Sequence, residues 1–398
     1  MAERRTLMGE RNLDFDTVIE RKNTKCIKYD FAVKRGKPEN VLPLWVADMD
    51  FNVSSYITDA LEGMVSHGIF GYSESEESYF KALKGWMKRH HNWDIQEKWL
   101  VKTPGVVFAL ATAVRAFTKE GEGVLIQQPV YYPFAEIIVK NNRKLVDNTL
   151  VLTEKGSYAI DYEDFERKIV EENVKLFILC NPHNPVGRVW TKEELIRLGD
   201  ICLKHNVLVI SDEIHSDFIF SGEHRIFANL KREYADISMI CTAPSKTFNI
   251  AGLQISNIFL PNEALARRFR KELDATGYSQ LSLPALIACE AAYQHGDEWL
   301  NAVLAYIKKN AQYVQNYLEK YLPKVKMINQ EGTYLVWLDF REYKLSDKEL
   351  DKRIVEQAGL WLDSGAMFGK SGEGFQRINI ACPRATLKEA LERLRKVF

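Results

Sequence analysis

The stretch Thr242-Ala243-Pro244-Ser245-Lys246-Thr247-Phe248-Asn249 sets a lysine among small hydroxyl residues, just past the apolar run Ile237 to Thr242. An amine placed there could condense with a carbonyl compound, and Ser245 could hold an anionic group beside it. A second polar group, Ser211-Asp212-Glu213-Ile214-His215-Ser216-Asp217, follows the run Val207 to Ile210. Its Asp212 could pair with a protonated ring nitrogen and turn an aromatic ring into a stronger electron sink. A third, Asn181-Pro182-His183-Asn184-Pro185-Val186-Gly187, follows Leu176 to Cys180. Its two Asn-Pro steps enforce an extended, stiff loop able to hold an amide donor in place. Tyr131 and Tyr132, lying between Pro129 and Pro133, offer a ring for stacking and a hydroxyl for a substrate.

Each feature also has an ordinary use. A lysine taken alone is a solvated side chain. Asp212 could cap a helix, or join His215 and Asp217 at a metal, although no further ligand motif accompanies them. Asn-Pro steps make sharp turns, and loop tyrosines pack. What favours chemistry is shared position, because these groups lie at the carboxyl ends of apolar runs, where doubly wound sheets bind ligands. An amine, a phosphate anchor and a carboxylate for a ring nitrogen together match the way a pyridoxal 5'-phosphate enzyme holds its cofactor.

The elements that must position these groups follow from periodicity. Short apolar runs, Gly123 to Gln127 among them, alternate with helical patterns, the signature of βαβ units in an α/β fold with a mostly parallel sheet. After Thr103, Pro104 and Gly105, the residues Val107, Leu110, Val114 and Phe117 share one helical stripe. The Gly-led start of that helix, at Gly105, Val106 and Val107, is the best anion site in the sequence, since free N–H groups and the helix dipole both favour phosphate. Beyond Leu283 the pattern becomes one long amphipathic helix through Leu300 to Leu318, then strands at Thr333 to Phe340 and Gln376 to Ile380. This predicts a large domain over 51–290 and a smaller α+β domain from 1–50 and 291–398. Alternation in the last strand puts Arg377 and Asn379 on one face.

The chain has 398 residues, 46% apolar and 27% charged, which excludes disordered and fibrous classes. Lys plus Arg and Asp plus Glu are each 54, so no charge surplus draws the protein to nucleic acid or anionic lipid. Cys26, Cys180, Cys202, Cys241, Cys289 and Cys382 are widely spaced, which argues against a disulfide framework or structural zinc and for a reducing cytoplasm. The opening residues, MAERRTLMGERNLDFD, have no apolar core, and no run of about 18 apolar residues occurs, so neither export nor a membrane span is expected. Gly365 to Ser371 imitates a nucleotide-binding loop but has only three residues between its glycines where four are needed. No G-x-G-x-x-G follows a strand, so the phosphate turn of nicotinamide-dependent dehydrogenases is missing too.

In chain order, TPGVV, PVYYPF, NPHNPVG, SDEIHSD and APSKTFNIAGLQ resemble the fold type I pyridoxal-phosphate family of class I and II aminotransferases. With LPLWVADMDF at Leu42 to Phe51, they resemble its cystathionine β-lyase branch, the cystalysin-like C–S lyases. That resemblance implies an aspartate aminotransferase fold, a large domain plus a smaller one, with pyridoxal 5'-phosphate as cofactor. It makes Lys246 the lysine joined to the cofactor, Asp212 the carboxylate on its pyridine nitrogen, Asn184 the amide near its ring oxygen and Tyr131 the stacked ring. Gly105, Val106, Val107 and Ser245 match phosphate contacts. Tyr72, in Phe70-Gly71-Tyr72-Ser73, matches a tyrosine that reaches the phosphate of a neighbouring subunit, which implies a homodimer with shared active sites. Arg377 matches the clamp on a substrate α-carboxylate, with Tyr132, Asn184 and Ala47 close to the substrate. The resemblance also makes His215 a cofactor contact, standing where many relatives carry a tyrosine near the ring oxygen, and Gln254 stands where many carry a phosphate-binding arginine.

The activity implied is β-elimination from cystathionine or cysteine-type thioethers to pyruvate, ammonia and a thiol, with a small-molecule amino acid as partner and no nucleic acid, membrane or metal. An aminotransferase of the same fold uses the same first steps, and a regulatory protein could keep the whole residue set. The cofactor motifs do not separate the three.

Overall fold

Alternate residues of the central strands divide between two cores, and this division explains the layers. In the computed structural model, which describes residues 9–398, seven strands form one sheet. They are β1 (Leu100–Thr103), β2 (Gly123–Ile126), β3 (Lys144–Asp147), β4 (Val174–Cys180), β5 (Leu208–Asp212), β6 (Ser238–Thr242) and β7 (Ser256–Phe259). Their spatial order is β1-β7-β6-β5-β4-β2-β3. Only β7 runs against its neighbours; the other adjacent pairs are parallel. Val124, Ile126, Ile178, Ile210 and Cys241 pack on one side with helices Val106–Phe117 and Glu263–Ala275. Leu125, Phe177, Leu179, Val209 and Ile240 pack on the other with helices Tyr162–Glu171 and Lys192–Lys204. A sheet covered on both faces needs apolar side chains at successive positions, which is why these strands read as unbroken apolar runs.

The later part of the chain begins with helix Asp297–Tyr321, separated at Gly296 from helix Leu283–His295. It covers an antiparallel sheet of β8 (Lys326–Met327), β9 (Leu335–Asp339), β10 (Asp363–Ser364) and β11 (Phe375–Asn379), in the order β8-β9-β11-β10. β9 and β11 lie within two residues of the predicted spans, whereas the two-residue strands β8 and β10 are too short to leave an alternating pattern. Gly365 and Gly369 serve this packing rather than a nucleotide: a Cβ at Gly365 would collide with the carbonyl oxygens of Gly372 and Phe375, and one at Gly369 with the Gln128 side chain.

The N-terminal segment pairs in parallel, Leu42–Pro43 with Leu360–Trp361, as a separate two-stranded sheet, and its Leu44 carbonyl accepts from Asn379 N at the end of β11. From Trp45 to Phe51 it leaves the strand and is held largely by side chains. Asn379 Nδ2 donates to the carbonyls of Val46 (2.7 Å) and Asp48 (2.6 Å). Asn249 accepts from Met49 N (2.8 Å) and donates to the carbonyls of Met49 and Phe51. Beneath lies a buried ion cluster in which Lys28 Nζ meets Asp50 at 2.8 Å and Asp48 at 3.4 Å, and Arg21 bridges the same two carboxylates. Burial opposes the Lys28 charge, but the two aspartates outweigh it and raise its pKa. Among the described residues no helix is long and apolar enough to cross a membrane.

Candidate active site

Lys246 sits in the short helix Pro244–Thr247 that follows β6, with Pro244 at its first turn, where a missing N–H costs nothing. Its amine is half-buried and donates to the Ala47 carbonyl at 2.6 Å. Burial lowers its pKa to about 8, with Arg377 adding to the effect and Asp48 and Asp212 opposing it. The amine is thereby poised to give up its proton just above neutral pH. The helix is tied down by Thr247, whose hydroxyl donates to Asp217 at 2.6 Å; Asp217 also pairs with His91 at 2.9 Å. Asp217 therefore turns away from Asp212, and the metal trio of Asp212, His215 and Asp217 is not assembled; no other group of three His, Cys, Asp or Glu side chains is gathered among the described residues.

Asp212 ends β5, flanked in register by Cys180 and Cys241. Buried among sulfur and apolar groups, its carboxylate accepts one bond, from Ile214 N at 3.2 Å. Burial pushes its pKa up to about 7, helped by Glu213 and opposed by Lys246 and the Ile214 N–H. Glu213, next in sequence, faces the other way and is used up by Ser211, His224 and Phe227 N. Strand alternation thus leaves Asp212 alone toward the cleft.

Arg377, on β11, is buried and already partnered: Nη1 donates to Asn184 Oδ1 at 3.0 Å, Nη2 to the Trp45 carbonyl at 2.9 Å, and Nη2 also to Asp363. It lies over the Phe368 ring at 4.9 Å. Because Asn184 spends its oxygen on Arg377, its NH2 group is left to face the cleft. Tyr131 and Tyr132 lie side by side, ring centroids 5.4 Å apart, and Tyr132 meets Phe368 edge-on. Burial raises the Tyr131 phenol well above its ordinary range.

The phosphate candidates converge at the start of β7. Ser256 pairs with Thr103, their hydroxyls 2.6 Å apart, and Gly105 caps helix Val106–Phe117 immediately beyond. Ser245 reaches the Ile255 carbonyl one residue before β7. Val106 is buried, whereas Val107 turns its side chain outward, so only backbone groups of these two face an anion. Gln254 is exposed at φ 58°, and no arginine side chain stands in its place. Tyr72 is 94% exposed and remains outside this cluster in the single chain.

Sequence reasoning passed over three participants. Asp363 lies opposite Arg377 in strand register, and Tyr334 donates its hydroxyl to the same Ala47 carbonyl as Lys246, at 3.0 Å. Asp48 stands close enough to raise the lysine's pKa. No local pattern flags Asp363, but alternation in the predicted strand Thr333 to Phe340 could have marked Tyr334 as buried beside the site.

The arrangement defines an α/β enzyme of the aspartate aminotransferase type, and the chain belongs to the class I and II aminotransferase family, whose model matches residues 42–394. It is 45% identical over 384 residues to cystathionine β-lyase PatB of Bacillus subtilis, covering 96% of this chain and 99% of that one. It is 33% identical over 381 residues to protein MalY of Escherichia coli, covering 95% and 97%. Among solved structures it matches cystalysin of Treponema denticola, which contains pyridoxal 5'-phosphate, with a TM-score of 0.93 and 41% identity over 96% of this chain and 98% of that one. It also matches the PLP-bound C–S lyase of Staphylococcus hominis, with a TM-score of 0.90 and 34% identity over 97% and 98%.

The residues present fit such a cofactor. His215 Nδ1 and Arg377 Nε are buried without hydrogen-bond partners, and the Asp212 carboxyl lacks a cationic one. Buried polar groups left unsatisfied within one protein are those a polar ligand completes.

Proposed function

We propose that the protein is a pyridoxal 5'-phosphate-dependent carbon–sulfur β-lyase that cleaves L-cystathionine and related cysteine thioethers. One observation carries this reading: Lys246, Asp212 and Asn184, at or just past the ends of three parallel strands, and Arg377, in the middle of β11, are gathered at one site, with Lys246 close enough to feel both Asp212 and Arg377 and with Asn184 bonded to Arg377. When bound, the cofactor supplies an electron-accepting ring that stabilises negative charge on the substrate Cα.

The chain's residues do the rest. Asp212 would hold the ring nitrogen in its protonated form, exchanging its costly burial for an ion pair. Tyr131 would hold the ring by stacking, and the Asn184 amide would donate to the ring oxygen. Backbone N–H groups at Gly105, Val106 and Val107, with Ser245, hold the phosphate. Arg377 binds the α-carboxylate, steadied by Asn184 and Asp363, while Ala47 and Tyr132 border the substrate. The freed Lys246 amine takes the proton from Cα. The carbon–sulfur bond at Cβ then breaks with its electron pair on sulfur, and Lys246 is placed to return a proton to the thiolate. Water completes release of pyruvate and ammonia.

A homodimer is part of the same proposal. Val65, Ile69, Phe70 and Tyr72 are all more than half exposed around one loop, which a second copy would cover, and Tyr72 would add a hydroxyl where Gln254 brings no charge. The division into 51–290 and the remainder is supported by the helix break at Gly296. A reducing cytoplasm suits the six unpaired cysteines.

Purified protein supplied with L-cystathionine and no oxo acid should release pyruvate, ammonia and a thiol over many turnovers. Product that forms only when an oxo acid is added means an aminotransferase instead. A regulatory role through surface contacts would survive Lys246→Ala, which abolishes the chemistry.

A further inference from the structure

The Ala47 carbonyl oxygen is shared by two side chains. Lys246 Nζ donates to it at 2.6 Å and the Tyr334 hydroxyl at 3.0 Å. Tyr334 immediately precedes β9 and is fully buried, its ring edge-on to Phe218 at 4.8 Å and to His215 at 5.7 Å. Burial holds the phenol far above its ordinary pKa, with Asp48 adding to the effect and Arg377 opposing it, so the hydroxyl is a standing donor. Around the pair stand Asp48 from the N-terminal segment, Asp212 and His215 from the end of β5, and Arg377 from β11.

We propose that Tyr334 is a positioning residue for Lys246: by sharing the Ala47 carbonyl, its hydroxyl weakens that oxygen's hold on the lysine ammonium and holds the Ala47 peptide still when the amine is engaged elsewhere. The inference rests on the reading of Lys246 as the base.

The physical reason is competition for one acceptor. A carbonyl oxygen has two lone pairs, and a donor already on one leaves less electron density for the other. A hydrogen bond to an ammonium favours its charged form, which cannot take a proton. Sharing the oxygen therefore leaves the lysine closer to the neutral amine that base catalysis needs. The carbonyls on either side of Ala47, those of Val46 and Asp48, are both held by Asn379. Without Tyr334 the peptide between them loses its fixed partner each time Lys246 departs.

Tyr334→Phe removes one hydroxyl and keeps the ring contacts. Ala47 then has Lys246 as its one donor, and the amine's pKa should rise. In the holoenzyme acting on L-cystathionine, the acid limb of kcat should move up by about half to one pH unit. In the full chain freed of cofactor, the pH midpoint for acetylation of Lys246 by acetic anhydride, read by peptide mass spectrometry, should move by the same amount. Asn249→Ala loosens the same segment at Met49 and Phe51 without touching the Ala47 oxygen, and should lower turnover with neither midpoint displaced. The assignment fails if Tyr334→Phe loses turnover with both midpoints unchanged, or if Asn249→Ala displaces them equally. Wild-type protein inactive on every thioether would refute the lyase reading instead, and the acetylation midpoint would still decide the role of Tyr334.

Discussion

Asp363 and Arg377 stand directly opposite each other on neighbouring antiparallel strands and meet as a buried ion pair. Burial leaves the Asp363 carboxyl above its ordinary pKa despite the pull of the guanidinium. The guanidinium proposed as the substrate clamp is thus held in place by the protein itself. Arg377→Ala strands a buried carboxylate and should cost about 3–5 kcal/mol of stability, as well as raising KM steeply. Adding Asp363→Asn to that variant should restore much of the urea midpoint and none of the KM. An Arg377→Ala protein as stable as wild type would show that the pair contributes nothing.

Lys246→Ala removes the amine proposed both to join the cofactor and to act as the base. Turnover should fall by at least about 10³-fold, while the far-ultraviolet circular dichroism stays that of wild type. In wild-type enzyme kcat should climb as pH rises through about 8, where the buried amine loses its proton. A kcat independent of pH between 6 and 9 would exclude this amine as the base.

Asp212 links cofactor retention to pH. Its folded-state pKa, about 7, lies above the ordinary 3.8. In cofactor-free protein its contribution to stability is therefore present in acid, declines as pH rises above 4 and is gone beyond about 7. A protonated ring nitrogen opposite Asp212 removes that loss. The gap in Tm between cofactor-bound and cofactor-free protein should widen from pH 5 to pH 7.5, and Asp212→Asn should flatten it. Equal widening in the variant would assign the effect to another group.

Tyr72 tests the shared site. Lys246→Ala and Tyr72→Ala subunits, each weak alone, should regain activity when unfolded and refolded together, because one site of each mixed dimer is intact. Random pairing sets a ceiling of about a quarter of wild-type activity. No recovery, in a mixture shown by mass spectrometry to contain hybrids, would remove Tyr72 from the neighbour's site.

Lys28 anchors the N-terminal segment from below. Lys28→Met leaves Asp50, in a dry setting, with Arg21 as its cation and the Tyr29 hydroxyl as a further donor, and should lower stability by about 3 kcal/mol in urea titration. Since Asp48 and Asp50 flank the Met49 peptide, turnover should fall with it. An unchanged urea midpoint would mean that Arg21 alone compensates both carboxylates.

Much of this site was legible in the amino-acid order. Lys246, Asp212 and Asn184 could each be placed because a covered parallel strand writes itself as an uninterrupted apolar run, and a polar residue at its carboxyl end has few other reasons to be there. Arg377 and Asn379 were assigned a common face by period-two alternation, and both reach the same N-terminal segment. These are local signals, set by backbone geometry over a few residues. Tertiary structure alone decided that Asp363 would neutralise Arg377 from 14 positions away, and that Tyr334 and Lys246 would meet on an oxygen 287 and 199 positions distant in sequence. Such pairings depend on how whole strands register and pack, and a pattern that repeats every two or four residues carries no record of which distant neighbour it will face.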